Sequence, residues 1–222
     1  MPVDAAEAQG LRTRAGESRG AVFGACGRYR YLLWRRLGAS GQTILFVMLN
    51  PSTADEARDD ATIRACTRHA RRRGAAVLLV ANLYALRSTD PRGLRSHPDP
   101  VGPENDAHLA AAAQRADRLI MAWGDAGPPG LDERAAAVCA GPLAGARLHA
   151  LGRTRAGRPR HPLYLATSAR LRRYALPCGA GILPASGVVQ VCAVRQTSSP
   201  SPLCQPCSSP ARSGRAMGAL AR

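Results

Sequence analysis

The chain has 222 residues, enough for one domain with a buried core and a terminal extension. All 31 of its basic residues are arginine, set against 15 acids, for a formal charge of +16. The Ala, Gly and Pro content ascribes part of that excess to compositional bias. The remainder argues against an acidic protein or a free cation as partner and for a polyanion, DNA or a nucleotide.

The first twenty residues carry charges and no apolar run, so they do not read as a signal peptide. No stretch approaches the length of a membrane span. A cytoplasmic monomer is therefore expected, without membrane contact and with no protein partner implied. Three segments are expected: residues 1–24 poorly ordered, 25–175 a single α/β domain, and 176–222 a low-complexity, disordered tail. The tail is rich in Ser, Pro, Gly and Cys, has no acid, and reads as foreign to the domain. Its Cys204 and Cys207 form a lone pair at metal-ligand spacing, without a second pair. Cys26, Cys66 and Cys139 read as small apolar residues.

In chain order, residues 30–34 (RYLLW) predict a strand. Residues 43–49 (TILFVML) are apolar without alternation, the pattern of a strand covered on both faces, and Pro51 ends it. Residues 60–73 predict a helix capped by Asp59 or Asp60. Ile63, Cys66, Thr67 and Ala70 share its inner face. Residues 75–82 (AAVLLVAN) are a second buried strand. Residues 83–103 are a long loop of the kind that is usually functional or mobile. Helices follow at 104–116 and 131–139, with strands at 118–123 and 147–151. A basic loop spans 152–160, and 167–174 predicts a short last helix. Buried strands alternating with helices predict a three-layer α/β/α sandwich around a mainly parallel sheet, with its ligand beyond the carboxyl ends of the strands.

The distinctive polar residues fall at those strand ends. Asn50, followed by Pro51 and Ser52, presents a donor and an acceptor at the rim of the sheet. Asn82 repeats this on the next strand, and paired carboxamides suit the edge of a planar base. Trp123 and Gly124 end a third strand. His161 follows Arg153, Arg155, Arg158 and Arg160, of which Arg158 and Arg160 are the candidate phosphate ligands. Asp55, Glu56, Asp59 and Asp60 could supply a general base, hold Mg²⁺, or simply favour a helix N-terminus. Taken singly, each segment is equally a structural turn. His69, His97, His108 and His149 lack partners at metal-ligand spacing.

MLNPSTAD, DDATIRAC, NLYALRSTDP, PVGPEND, the AWG strand end and RHPLYL, in that order, resemble the bacterial and phage family of unknown function DUF1643 over roughly residues 28–166. A more distant resemblance is to the uracil-DNA glycosylases. Met48 to Pro51 is similar to their first strand-end motif, Asn82 to their base-reading Asn, Trp123-Gly124 to their W-G strand end, and His161 to Leu165 to their H-P-S-P-L segment. That resemblance implies a glycosylase-like fold and hydrolysis of an N-glycosidic bond without metal or organic cofactor. Asn50 would orient water, Asn82 would bond the base, His161 would stabilise the departing base, and Leu165 would wedge into the stack. Met48 stands where those enzymes have glycine and Leu163 where they have serine. Tyr84 is the nearest candidate for a stacking aromatic. The alternatives are a non-catalytic nucleotide- or DNA-binding module and a Mg-dependent nucleotide enzyme.

Overall fold

In the computed structural model, residues 18–90 and 92–176 are described. The tail and its Cys204–Cys207 pair lie outside them. Seven strands form one sheet: β1 (Arg19–Phe23), β2 (Arg30–Arg36), β3 (Gln42–Met48), β4 (Ala75–Asn82), β5 (Arg118–Met121), β6 (Leu148–Ala150) and β7 (Arg172–Arg173). The helices are α1 (Ala61–Arg71), α2 (Gly93–Ser96), α3 (Asn105–Gln114) and α4 (Leu131–Ala140). The strand order is β1-β2-β4-β3-β5-β6-β7.

The sheet is mixed, which corrects the expectation of a mainly parallel one. β3 pairs parallel with β4 and β5, and β5 with β6. β1–β2, β2–β4 and β6–β7 are antiparallel. The cause lies at the two edges. A tight connection turns β1 straight back as β2, and antiparallel neighbours need no crossover helix. At the other edge, 167–174 forms no helix. It turns and then extends, and β7 runs back along β6 with the Tyr174 N–H donating to the Leu148 carbonyl. Tyr174 is buried edge-on against Trp123, and Arg153 covers its ring, contacts that hold the segment extended.

β1 occupies residues that the sequence reading assigned to a poorly ordered N-terminus. Its Gly20 faces Trp34 of β2, and a Cβ there would sit 2.0 Å from the indole ring. A glycine is the residue that lets this pair close, and it also dilutes the strand pattern in the sequence.

Side chains of β3 alternate between two apolar clusters, as a period of two requires. Leu45 and Val47 join Leu109 and Ala112 of α3 and Ala135 and Val138 of α4. Ile44, Phe46 and Met48 join Ile63, Cys66 and Ala70 of α1. The crossover β3–α1–β4 thus covers one face, and the α3 and α4 connections cover the other. β4 and β5 flank β3 on opposite sides, so the connections leaving β3 and β5 diverge. That is the topological switch point at which open α/β sheets form a crevice. Among the described residues, no helix is long and apolar enough to cross a membrane.

Candidate functional site

A cavity of about 640 Å³ opens at that switch point. Asn50 and Ser52 line it from the end of β3, Asn82 from the end of β4, and Trp123 and Gly124 from the end of β5. Arg160 and His161 close it from the loop after β6. Pro51, Arg158 and Leu165 are not among the lining residues.

Several of the lining groups are held by specific ties to the backbone. Asn50 Nδ2 donates to the Pro51 carbonyl (3.0 Å) and the Ser88 carbonyl (2.8 Å). The Ser88 N–H returns a bond to the Pro51 carbonyl, so the turn after β3 is laced to the loop after β4. Pro51 serves as a buried acceptor in that lacing. The loop expected at 83–103 is well tied: Ala85 and Leu86 donate to the Val101 and Pro100 carbonyls, and α2 lies within it.

The end of β4 is pinned from the opposite side. Asn105 is fully buried, and its Nδ2 donates to the carbonyls of Asn82 and Leu83, each at 3.1 Å. Arg134 Nε donates to the Leu83 carbonyl, and its guanidinium pairs with Asp106. Asn105 and Asp106 thus fix the strand end that presents Asn82. The motif PVGPEND was visible in the sequence, but its role was not.

Gly124 has φ +71°, a left-handed conformation that favours glycine. Its N–H donates to the Pro159 carbonyl, and a Cβ on it would stand 3.4 Å from His161 Cβ. The W-G turn therefore seats the His161 loop. His161 itself caps a 3₁₀ turn over Pro162–Tyr164, its Nδ1 accepting the Leu163 N–H at 3.3 Å. Burial lowers the His161 pKa below its usual value, and nearby Asp60 partly offsets this. A neutral imidazole that accepts at Nδ1 carries its proton on Nε2 and can donate from there.

The basic loop separates into individual roles. Arg153 stacks on Tyr174 and donates to the Gly157 and Ala175 carbonyls. Arg158 grips Asp132 with two bonds, 2.8 and 2.6 Å, which raise its pKa, and lies 3.8 Å from Asp125. Its guanidinium is thus occupied in the fold, and of the two candidate phosphate ligands only Arg160 lines the cavity. Leu165 packs against the α1-side cluster. The apolar side chains exposed at the rim are Leu163 and Tyr164, the latter 75% exposed with its ring tilted against His161. Tyr84 is buried in the other cluster, 5% exposed, and does not line the cavity.

The acidic cluster also divides. Asp55 caps its own turn through the Ala57 and Arg58 N–H groups, and Asp59 pairs with Arg35 at 2.7 Å. Asp60 lines the cavity while one of its oxygens accepts the Ile63 N–H at the start of α1. Among the described residues, no three His, Cys, Asp or Glu side chains converge as a metal-ligand set.

Arg30 was read from the sequence only as part of a strand. It lines the cavity at 2% exposure, and burial brings its pKa down to about 10. As the first residue of a strand it has no motif around it, so only the assembled sheet shows it as a site residue.

The profile of a family of proteins of unknown function, DUF1643, matches residues 30–163. The chain belongs to the DUF1643 family. The matched span takes in every cavity-lining residue named here except Tyr164, so the cavity lies within the family domain. No curated protein and no solved structure matches the chain.

Proposed function

We propose that this DUF1643 protein binds a nucleotide, free or within DNA, in the strand-end cavity and hydrolyses its N-glycosidic bond. The proposal includes a three-layer, glycosylase-like arrangement of the domain. One observation carries it: Asn50, Asn82, Trp123-Gly124 and His161, separated along the chain, line a single cavity.

The chemistry follows from the groups present. Asn50 Nδ2 is spent on two carbonyls, which leaves Oδ1 to accept a bond from water. Asp60, in the same lining, takes a proton from that water as its oxygen attacks C1′ of the sugar. The C1′–N bond breaks and its electron pair leaves with the base. His161 Nε2–H donates to the departing base anion, which then takes a proton from solvent. Asn82 meets the polar edge of the base, and Tyr164 lies at the rim as a stacking surface.

The test is release of free base from uracil- or alkylated-base DNA and from nucleoside monophosphates, followed by chromatography. His161→Gln should cut release by about 10²–10³-fold, the usual loss for one donor to a developing anion. Asp60→Asn and Asn50→Ala should also abolish most of it. Binding without release would leave a nucleotide-binding module. Release that survives all three substitutions would remove the assigned roles.

A further inference from the structure

Among the described residues, the buried side-chain polar atoms of the cavity lining that lack a partner are all donors. Arg30 Nε, Asn82 Nδ2 and Trp123 Nε1 have no hydrogen-bond acceptor among the described residues, and these residues are 2%, 1% and 2% exposed. They come from three places in the sheet, the start of β2 and the ends of β4 and β5, and all three residues line the same cavity. Buried donors are satisfied in folded proteins. A set of this single polarity calls for a ligand rich in acceptors.

Arg30 sharpens the requirement. Its Nη1 donates to the Ala54 carbonyl, a neutral partner. Among the described residues, no carboxylate stands within ion-pairing distance of it, whereas Arg35 beside it is paired with Asp59. Of the charges around Arg30, Asp60 acts most strongly and favours its cation, Arg87 and Arg35 oppose it, and Asp55 adds a smaller favourable effect. A buried guanidinium usually has an anionic partner, and its planar fork suits the oxygens of a phosphate. Thr62 and Ser52 bring hydroxyls to the same lining.

We propose that Arg30 is an oxyanion-binding residue and that a phosphate of the ligand is its missing partner. This rests on the nucleotide reading above and deepens it: the substrate carries a phosphate into the cavity, so a bare nucleoside is a poor one. Asp60 opposes that phosphate electrostatically, so its charge tunes the affinity. The phosphate is either a terminal monoester of a free nucleotide or a diester of a DNA strand.

Titration calorimetry separates these possibilities. The probes are deoxyuridine, its 5′-monophosphate, ribose 5-phosphate, and a uracil-containing single strand without terminal phosphates. The monophosphate should bind at least about tenfold more tightly than the nucleoside, a difference of about 1.4 kcal/mol. Arg30→Met should bring the two to parity while circular dichroism shows a folded chain. Asp60→Asn, which keeps a capping side chain, should tighten ribose 5-phosphate binding, and it decides the matter if Arg30→Met does not fold. If the strand wins over the monophosphate in an Arg30-dependent way, the phosphate is a diester.

Equal affinity for nucleoside and monophosphate in the unsubstituted protein, unless the strand binds more tightly through Arg30, overturns the proposal. So does a preference that persists in Arg30→Met, or ribose 5-phosphate binding that Asp60→Asn fails to tighten. Arg30-dependent binding of ribose 5-phosphate without base release from any substrate would keep this proposal and defeat the glycosidic one. Base release from nucleoside as readily as from nucleotide or DNA would do the reverse.

Discussion

Asn50 has both a structural and a chemical task, and its two ends divide them. Nδ2 ties the turn after β3 to the Ser88 loop, and Oδ1 is left for the cavity. Asn50→Asp replaces the donating nitrogen with an oxygen that faces two carbonyl oxygens. Asn50→Ala removes the donor without adding repulsion. The expected order of stability in urea denaturation is therefore Asn, then Ala, then Asp, with the last losing roughly 1–3 kcal/mol. An aspartate variant as stable as the parent would show that the amide nitrogen does not hold this turn. A similar division explains why Arg158 and Arg160 differ although they stand two residues apart. Sequence spacing shows that both are cationic, but only the fold shows that Asp132 occupies one of them.

At the scale of the element, α1 links the core to the cavity. Ile63, Cys66 and Ala70 bury its inner face, Asp60 caps its start, and Arg68 and Arg71 complement its C-terminal dipole. Asp60→Ala should cost about 1 kcal/mol of stability through loss of the cap, and Asp60→Asn should cost little because asparagine caps equally well. Thermal melting of the pair separates the cap from the charge: a comparable loss in both variants would assign Asp60 an electrostatic role in folding.

α1 was legible because its apolar residues recur at helical spacing between an acidic start and Gly74. β3 and β4 were legible because six or seven apolar residues in a row leave few alternatives. The misread segments lack such redundancy. β1 is five residues long with a glycine opposite Trp34, and β7 is two residues placed by contacts of Tyr174 that are distant in sequence. The candidate site was legible where a residue ended a strong strand, as Asn50, Asn82 and Trp123 do. It was illegible where a residue began one, as Arg30 does, or where the choice between neighbours depended on packing, as with Leu165 and Tyr164.

At the scale of the whole molecule, the diverging connections of β3 and β5 explain why one cavity collects residues from 30 to 164. The same packing buries imidazoles throughout the domain. His69, His108, His149 and His161 all have pKa values lowered from 6.5, in each case chiefly by burial. His69 and His161 stand at the contact between α1 and the 161–164 turn, where the Pro162 backbone bonds His69 and raises its pKa against the larger effect of burial. In the unfolded chain these groups take up protons near 6.5, while in the folded chain they do so only at lower pH. Below about pH 6.5 the unfolded state therefore binds more protons, and stability falls with falling pH until the folded values are passed. Asp55, Asp90 and Asp132, held below 3.8 by hydrogen bonds, add a second loss at more acidic pH. The melting temperature at constant ionic strength should thus be level at about pH 8, decline between about pH 6.5 and 5, and decline again below about pH 4. A melting temperature that stays flat or rises between about pH 7 and 5 would mean that the histidines are not buried in their neutral form, and would remove the assignment of His161 Nδ1 as the acceptor of the Leu163 N–H.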